Sequence, residues 1–267
     1  MQIGVFDSGL GGLLTARYIK SLAPQVRILY YGDTAHLPYG DKSPWQVQAY
    51  TREIVRFLLA AGAEGIVIAC NTASAVAREV AWAEAQGRPV WDAITAILDH
   101  FDNYPPEFPL GVIGTYTTVQ SGIYGTAIRA RWPHAQVAEK PTPLLVPLIE
   151  EGFAEHPATR LILQTYLSTP ALQGIKSLLL ACTHYPLIID TIEAYYAQNA
   201  AECHIYNSAE ILAQRVVAGL SDSSRASEKP LEDAFWVSDY TDRFAQLAER
   251  FWGEPIRLQK APTFVST

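Results

Sequence analysis

A chain of 267 residues that is 49% hydrophobic and 18% charged buries one large core or two smaller ones sharing a cleft, and is too apolar for intrinsic disorder. Its formal net charge of −7 repels phosphate backbones and argues against nucleic acid as the main ligand. A small acidic ligand stays open, because a local site rich in N–H donors is independent of the total charge.

Residues 1–9 read as a first strand carrying Asp7, with neither a basic leader nor an apolar stretch suited to a signal peptide or a membrane span. Short apolar runs at 3–6, 28–31, 66–69, 110–113 and 178–181 end in small polar residues or glycine and lead into helix-like segments. That alternation predicts an α/β fold of two α/β domains with mostly parallel sheets and an active-site cleft between them. After Pro44 the apolar spacing is helical and Gly62 is a suitable stop, while residues 74–86 read as the next helix. The proline-rich "FDNYPPEFP" at 101–109 interrupts both regular structures, so a second domain is placed at 98–206 and a discontinuous first domain at 1–97 plus 207–267. "IYNSAEILAQRVV" from residue 205 reads as strand then helix with Ser208 as the N-cap, and "SDSSRASEKP" at 221–230 as an exposed loop.

A weak long-period repeat crosses this pattern. Gly4 to Gly9 resembles Gly111 to Thr115 at an offset of 107, and Ala69-Cys70 matches Ala181-Cys182 at an offset of 112. Equivalent strand ends in two α/β halves would put one thiol on each wall of a cleft, since ligands of open α/β sheets bind at the strand C-termini. A thiol acts as a base only with a suitable neighbour: His184 lies two residues from Cys182, and Asp7 closes a strand that adjacency in the sheet would bring to Cys70. Two bases on opposite faces of one carbon are what stereoinversion needs, with Asn71, Thr72 and Thr183 as donors for the developing carbanion charge.

Phe6-Asp7-Ser8-Gly9-Leu10-Gly11-Gly12, Tyr31-Gly32-Asp33-Thr34, Leu37-Pro38-Tyr39-Gly40, Ala69-Cys70-Asn71-Thr72-Ala73-Ser74, Gly114-Thr115 with Thr118, and Ala181-Cys182-Thr183-His184-Tyr185-Pro186 together resemble the glutamate racemases of the aspartate/glutamate racemase family. The resemblance runs nearly from end to end. It implies a racemase without cofactor or metal that interconverts L- and D-glutamate and supplies D-glutamate for peptidoglycan. By motif matching, Cys70 deprotonates D-glutamate with help from Asp7, and Cys182 deprotonates L-glutamate with help from His184, with Glu150 of "VPLIEEG" as a further helper. Ser8, Pro38, Tyr39, Gly40, Asn71, Thr72, Thr118 and Thr183 fall at substrate-binding positions. Family habit also suggests a homodimer. His36, where the family has Arg, Asn207, where it has Asp, and "FWVSDY", without the usual Gly, depart from the pattern.

Other readings compete. The three cysteines, Cys70, Cys182 and Cys203, lack Cys-x-x-Cys spacing and suit reduced thiols in a cytoplasmic compartment, with Cys203 inert. A lone buried cysteine is more often a small hydrophobe than a catalyst, and His184 alone suits a core histidine. Asp7 and Ser8 also fit N-cap roles, Gly11 and Gly12 a tight βα turn or a phosphate cradle, and Glu150 is interchangeable with Glu151. The competing functions are racemisation of aspartate or another acidic amino acid, a nucleotide-binding module, a thiol redox protein, and a zinc site of Cys70, Cys182 and His184.

Overall fold

The computed structural model describes residues 1–220 and 232–264. The loop expected at 221–230 lies outside the described residues. The chain opens with β1 (Gln2–Asp7), α1 (Gly12–Leu22), β2 (Arg27–Gly32), α2 (Pro44–Ala60), β3 (Gly65–Ile68), α3 (Asn71–Glu84), β4 (Val90–Asp92) and α4 (Ala93–Asn103). It continues through β5 (Leu110–Gly114), α5 (Tyr116–Gln120), α6 (Ile123–Arg131), β6 (Val137–Pro141), α7 (Leu145–Glu150), α8 (Pro157–Leu167), β7 (Ser177–Ala181), α9 (Ile189–Gln198) and β8 (His204–Asn207). The last elements are α10 (Ser208–Ala218), β9 (Ala234–Val237), α11 (Asp242–Trp252) and β10 (Leu258–Lys260).

These strands form two parallel sheets, in the orders β10-β9-β2-β1-β3-β4 and β6-β5-β7-β8. Within the first, β2-β1-β3-β4 has the same spatial order as the whole of the second, so β1 corresponds to β5 and β3 to β7. The weak sequence repeat is therefore a repeat of topology. Phe6 pairs with Ile68 and Gly114 with Ala181, which brings the paired strand ends level beside Cys70 and Cys182. The expected pair of parallel-sheet α/β units is what the chain forms. Its central strands are buried almost throughout, as parallel strands covered on both faces must be.

Local chemistry sets the helix ends. Ser43 and Gln46 form a reciprocal capping box at α2 with Pro44 at the first helical position, and the segment after α2 turns at Gly62 with φ +99°. Helix α3 starts earlier than its apolar spacing predicts, at Asn71 and not at 74. Cys70 Sγ accepts the Ala73 N–H at 3.4 Å and acts as the cap, while Ser74 Oγ donates to Ile68 O inside the helix. Ser208 is not the cap of α10 either. Asn207 Oδ1 accepts from the Ala209 and Glu210 N–H groups, and the Ser208 hydroxyl donates to Leu180 O. Helix α10 packs on both α1 and α4, and one apolar cluster including Leu13, Ile94, Leu178 and Leu212 runs through the two sheets' shared side.

Helix α4 leads the chain from the first sheet toward the second, and its cap is buried. Asp92 accepts from the Ile94 and Thr95 N–H groups and from the Thr95 hydroxyl. Asp92→Ala is expected to destabilise the protein by about 1 to 2 kcal/mol, read as a lowered midpoint in urea unfolding; an unchanged midpoint would show that the cap contributes nothing.

Candidate active site

A cleft of about 490 Å³ takes its walls from both sheets, with Ser8, Pro38, Tyr39, Gly40, Cys70, Asn71 and Thr72 on one side and Cys182, Thr183 and His184 on the other. Both thiols are free, and each is only 5% exposed. The strand order explains why they meet. The chain runs from β1 to β2 on one side and then crosses back to β3 on the other side of β1, and a crevice opens where the order reverses; the β5, β6 and β7 set repeats this. Cys70 follows β3 at the first crevice and Cys182 follows β7 at the second.

On the Cys182 side, His184 Nδ1 lies 3.9 Å from the sulfur and Nε2 lies 3.0 Å from Glu150 Oε1. Burial opposes a charge on this imidazole, yet the hydrogen bonds and negative charges of Cys182 and Glu150 outweigh it and push His184 up to about 10. Glu151 points elsewhere, pairing with Arg243 at 2.6 Å, so the structure separates two carboxylates that the sequence leaves interchangeable.

On the Cys70 side, burial first and then the charge of Asp7 push the thiol up to about 12, against hydrogen bonds from Ala73 and Ser8. Asp7 is itself buried beneath the cleft wall. Its carboxylate accepts the Gly9 N–H and the Thr183 hydroxyl, and burial raises its pKa despite the nearby charge of His184. Asp7 thus stands between the two sulfur environments. Gly11 caps α1 without a side chain, and a Cβ there would collide with Thr183 Oγ1 and the His184 ring. Of the glycines of "DSGLGG", Gly11 serves the close approach of the second wall, whereas Gly12 lies against Asp7 and Ala69 of its own sheet. Neither Gly11 nor Gly12 lines the cleft, so the phosphate-cradle reading has no structural support.

The model of the Asp/Glu/Hydantoin racemase family matches residues 14–216. Glutamate racemase of Syntrophus aciditrophicus is 39% identical over 95% of this chain and 93% of its own length. Among solved structures, glutamate racemase of Francisella tularensis in complex with D-glutamate superposes with a TM-score of 0.89 at 32% identity, covering 98% of this chain and 97% of that one. The Thermus thermophilus enzyme in complex with beta-chloro-D-alanine gives 0.83 at 33% identity, over 98% and 96%. The chain belongs to the glutamate racemase family.

Its departures from the racemase pattern have local partners. His36 Nδ1 contacts the Asp33 carboxylate at 2.9 Å and its ring stacks on Tyr50, and Asn207 keeps the capping role of an acid while donating from Nδ2 to Tyr18. "FWVSDY" supplies β9, which pairs with β2. Thr118 lies behind the cleft wall, fully buried, with its hydroxyl 3.1 Å from Thr72 and 2.9 Å from Thr115. Thr115 lines the cleft in its place, and so do Thr241, Arg243 and Phe244 from the C-terminal segment. Thr115 was marked by its motif. Nothing in the sequence marked Arg243, whose place depends on α11 returning to the cleft mouth. Among the described residues no group of three or more His, Cys, Asp or Glu is arranged to hold a metal, which leaves the zinc reading of Cys70, Cys182 and His184 without support.

The His184 charge stabilises the folded state fully below about pH 6.5, and that contribution is lost as the pH rises through about 10. Glu150→Gln removes one cause of the rise, so the His184 ring is expected to titrate at a lower pH in the variant, followed by NMR of the imidazole protons. An unmoved midpoint would show that Glu150 does not hold the charge.

Proposed function

We propose that this racemase inverts glutamate by passing protons between Cys70 and Cys182 across the cleft. The reading is carried by one observation: two cysteines at topologically equivalent strand ends face one cavity from its two walls. In the L to D direction, Cys182 removes the α-proton from one face, and the electron pair remains on the α-carbon, delocalised into the carboxylate. The Cys70 thiol then supplies a proton to the opposite face. Its raised pKa keeps it protonated at rest, as a donor must be. The reverse direction exchanges the roles, with Asp7 assisting Cys70 and His184, oriented by Glu150, assisting Cys182.

Carbanion charge needs donors in place before the reaction. Helix α3 begins at Asn71 and turns its positive end toward the cleft, and Thr72, Thr115 and Thr183 add hydroxyls. Ser8, Pro38, Tyr39 and Gly40 form the part of the first wall assigned to the substrate's remaining polar groups, with Thr118 acting through Thr72 and Thr115. The sheet memberships, β5 to β8 in one sheet and the other strands in the second, support a division near 1–97 plus 207–267 and 98–206, although β8 itself ends at Asn207. The proposed setting is a cytoplasmic supply of D-glutamate for peptidoglycan, supported by three free thiols and the family match, and no described helix is long and apolar enough to cross a membrane. The homodimer is carried by family habit alone.

Purified protein incubated with L-glutamate in heavy water, without pyridoxal phosphate, is expected to yield D-glutamate deuterated at the α-carbon, and neither D-glutamate nor α-deuterium would appear if the reading is wrong. The matched family model also covers aspartate racemases; faster turnover of aspartate than of glutamate would replace the substrate but keep the scheme. Cys70→Ser and Cys182→Ser are each expected to lower racemisation at least about a hundredfold. Full racemisation by either variant would refute the two-thiol assignment.

A further inference from the structure

Beneath the thiols, polar groups from the two walls form a chain whose direction is dictated by its last member. The Leu180 carbonyl can only accept, so the Ser208 hydroxyl, 2.7 Å away, donates its one proton there. Ser208 Oγ is left as an acceptor toward Asn71, whose Nδ2 faces it at 3.3 Å. Asn71 Oδ1 is thereby turned to Tyr124, whose phenol donates at 2.6 Å. Burial, with the charges of Asp92 and Glu139, raises the Tyr124 phenol well above its ordinary value, so it keeps its proton. Tyr124 is fully buried and does not line the cleft, whereas Asn71 does, directly after Cys70. Among the described residues Nδ2 makes this one hydrogen bond, which leaves its second N–H for a ligand.

We propose that Tyr124 is a positioning residue of the racemase: through Asn71 Oδ1 it holds the amide so that its free N–H meets a substrate carboxylate. The inference rests on the two-thiol reading of the cleft. Without the phenol proton, Oδ1 is a buried acceptor lacking a partner, and the amide can turn that oxygen toward the carboxylate it is meant to bind. The chain also ties the residue after Cys70 to the strand that ends beside Cys182.

The test is a double-mutant cycle on the full chain, reading kcat and KM for L-glutamate and D-glutamate affinity by calorimetry. Tyr124→Phe is expected to lower kcat/KM about tenfold, chiefly through KM, as loss of a hydrogen bond to a charged group does. In an Asn71→Ala background the same change is expected to alter kcat/KM and affinity less than about twofold, because the residue it acts through is gone. A Tyr124→Phe variant with wild-type KM, or one that loses the same factor in both backgrounds, would overturn the proposal. Should Tyr124→Phe fail to show a native melting transition, Ser208→Ala carries the same cycle, with a KM rise that disappears in Asn71→Ala as the expected result and equal effects in both backgrounds as the refutation. A wild-type chain unable to racemise glutamate overturns the two-thiol reading itself, whereas an active wild type with an unaffected Tyr124→Phe overturns this inference alone.

Discussion

Inversion at a carbon bearing one acidic proton requires the proton to leave by one face and another to arrive by the opposite face. A single wall cannot supply both groups. Under the proposed two-thiol scheme the fold meets this constraint by repetition: the strand order β2-β1-β3-β4 recurs as β6-β5-β7-β8, and each copy ends its third strand beside a cysteine. The two crevices that such sheets open at a reversal of strand order are turned toward one cavity.

The two sulfur environments differ although the topology repeats. Cys182 has an imidazole within reach whose charge is supported by Glu150, whereas Cys70 has burial and the charge of Asp7, which keep its proton in place against the hydrogen bond from the Ala73 N–H. Asp7 links the two, because its carboxylate accepts from Thr183 on the opposite wall while its charge acts on Cys70.

Holding the walls at a fixed separation falls to contacts that no single unit contains. Gly11 lets the Thr183 and His184 side chains approach the start of α1, the Thr72 hydroxyl of the first unit meets those of Thr115 and Thr118 of the second, and Asn71 is held between Tyr124 and Ser208. Hydrogen bonds in a buried setting are costly to leave unmade. The cleft floor therefore resists the small shifts that would misplace either thiol.

The sequence by itself determined the fold class and the two thiols, because strand periodicity, glycine and proline punctuation and the Ala-Cys repeat are local signals that survive in one dimension. It also carried Asp7, His184 and the wall residues, through motifs that lie close to strand ends. Helix starts were misplaced at Ser74 and Ser208, since a neighbouring side chain, Cys70 or Asn207, won the backbone N–H groups, and competition of that kind is invisible to spacing. Only the tertiary structure chose Glu150 over Glu151, moved Thr118 behind the wall, and brought Arg243 and Tyr124 into the account. Each of those depends on which groups from distant segments come within about 3 Å of one another, and chain order holds no record of that distance.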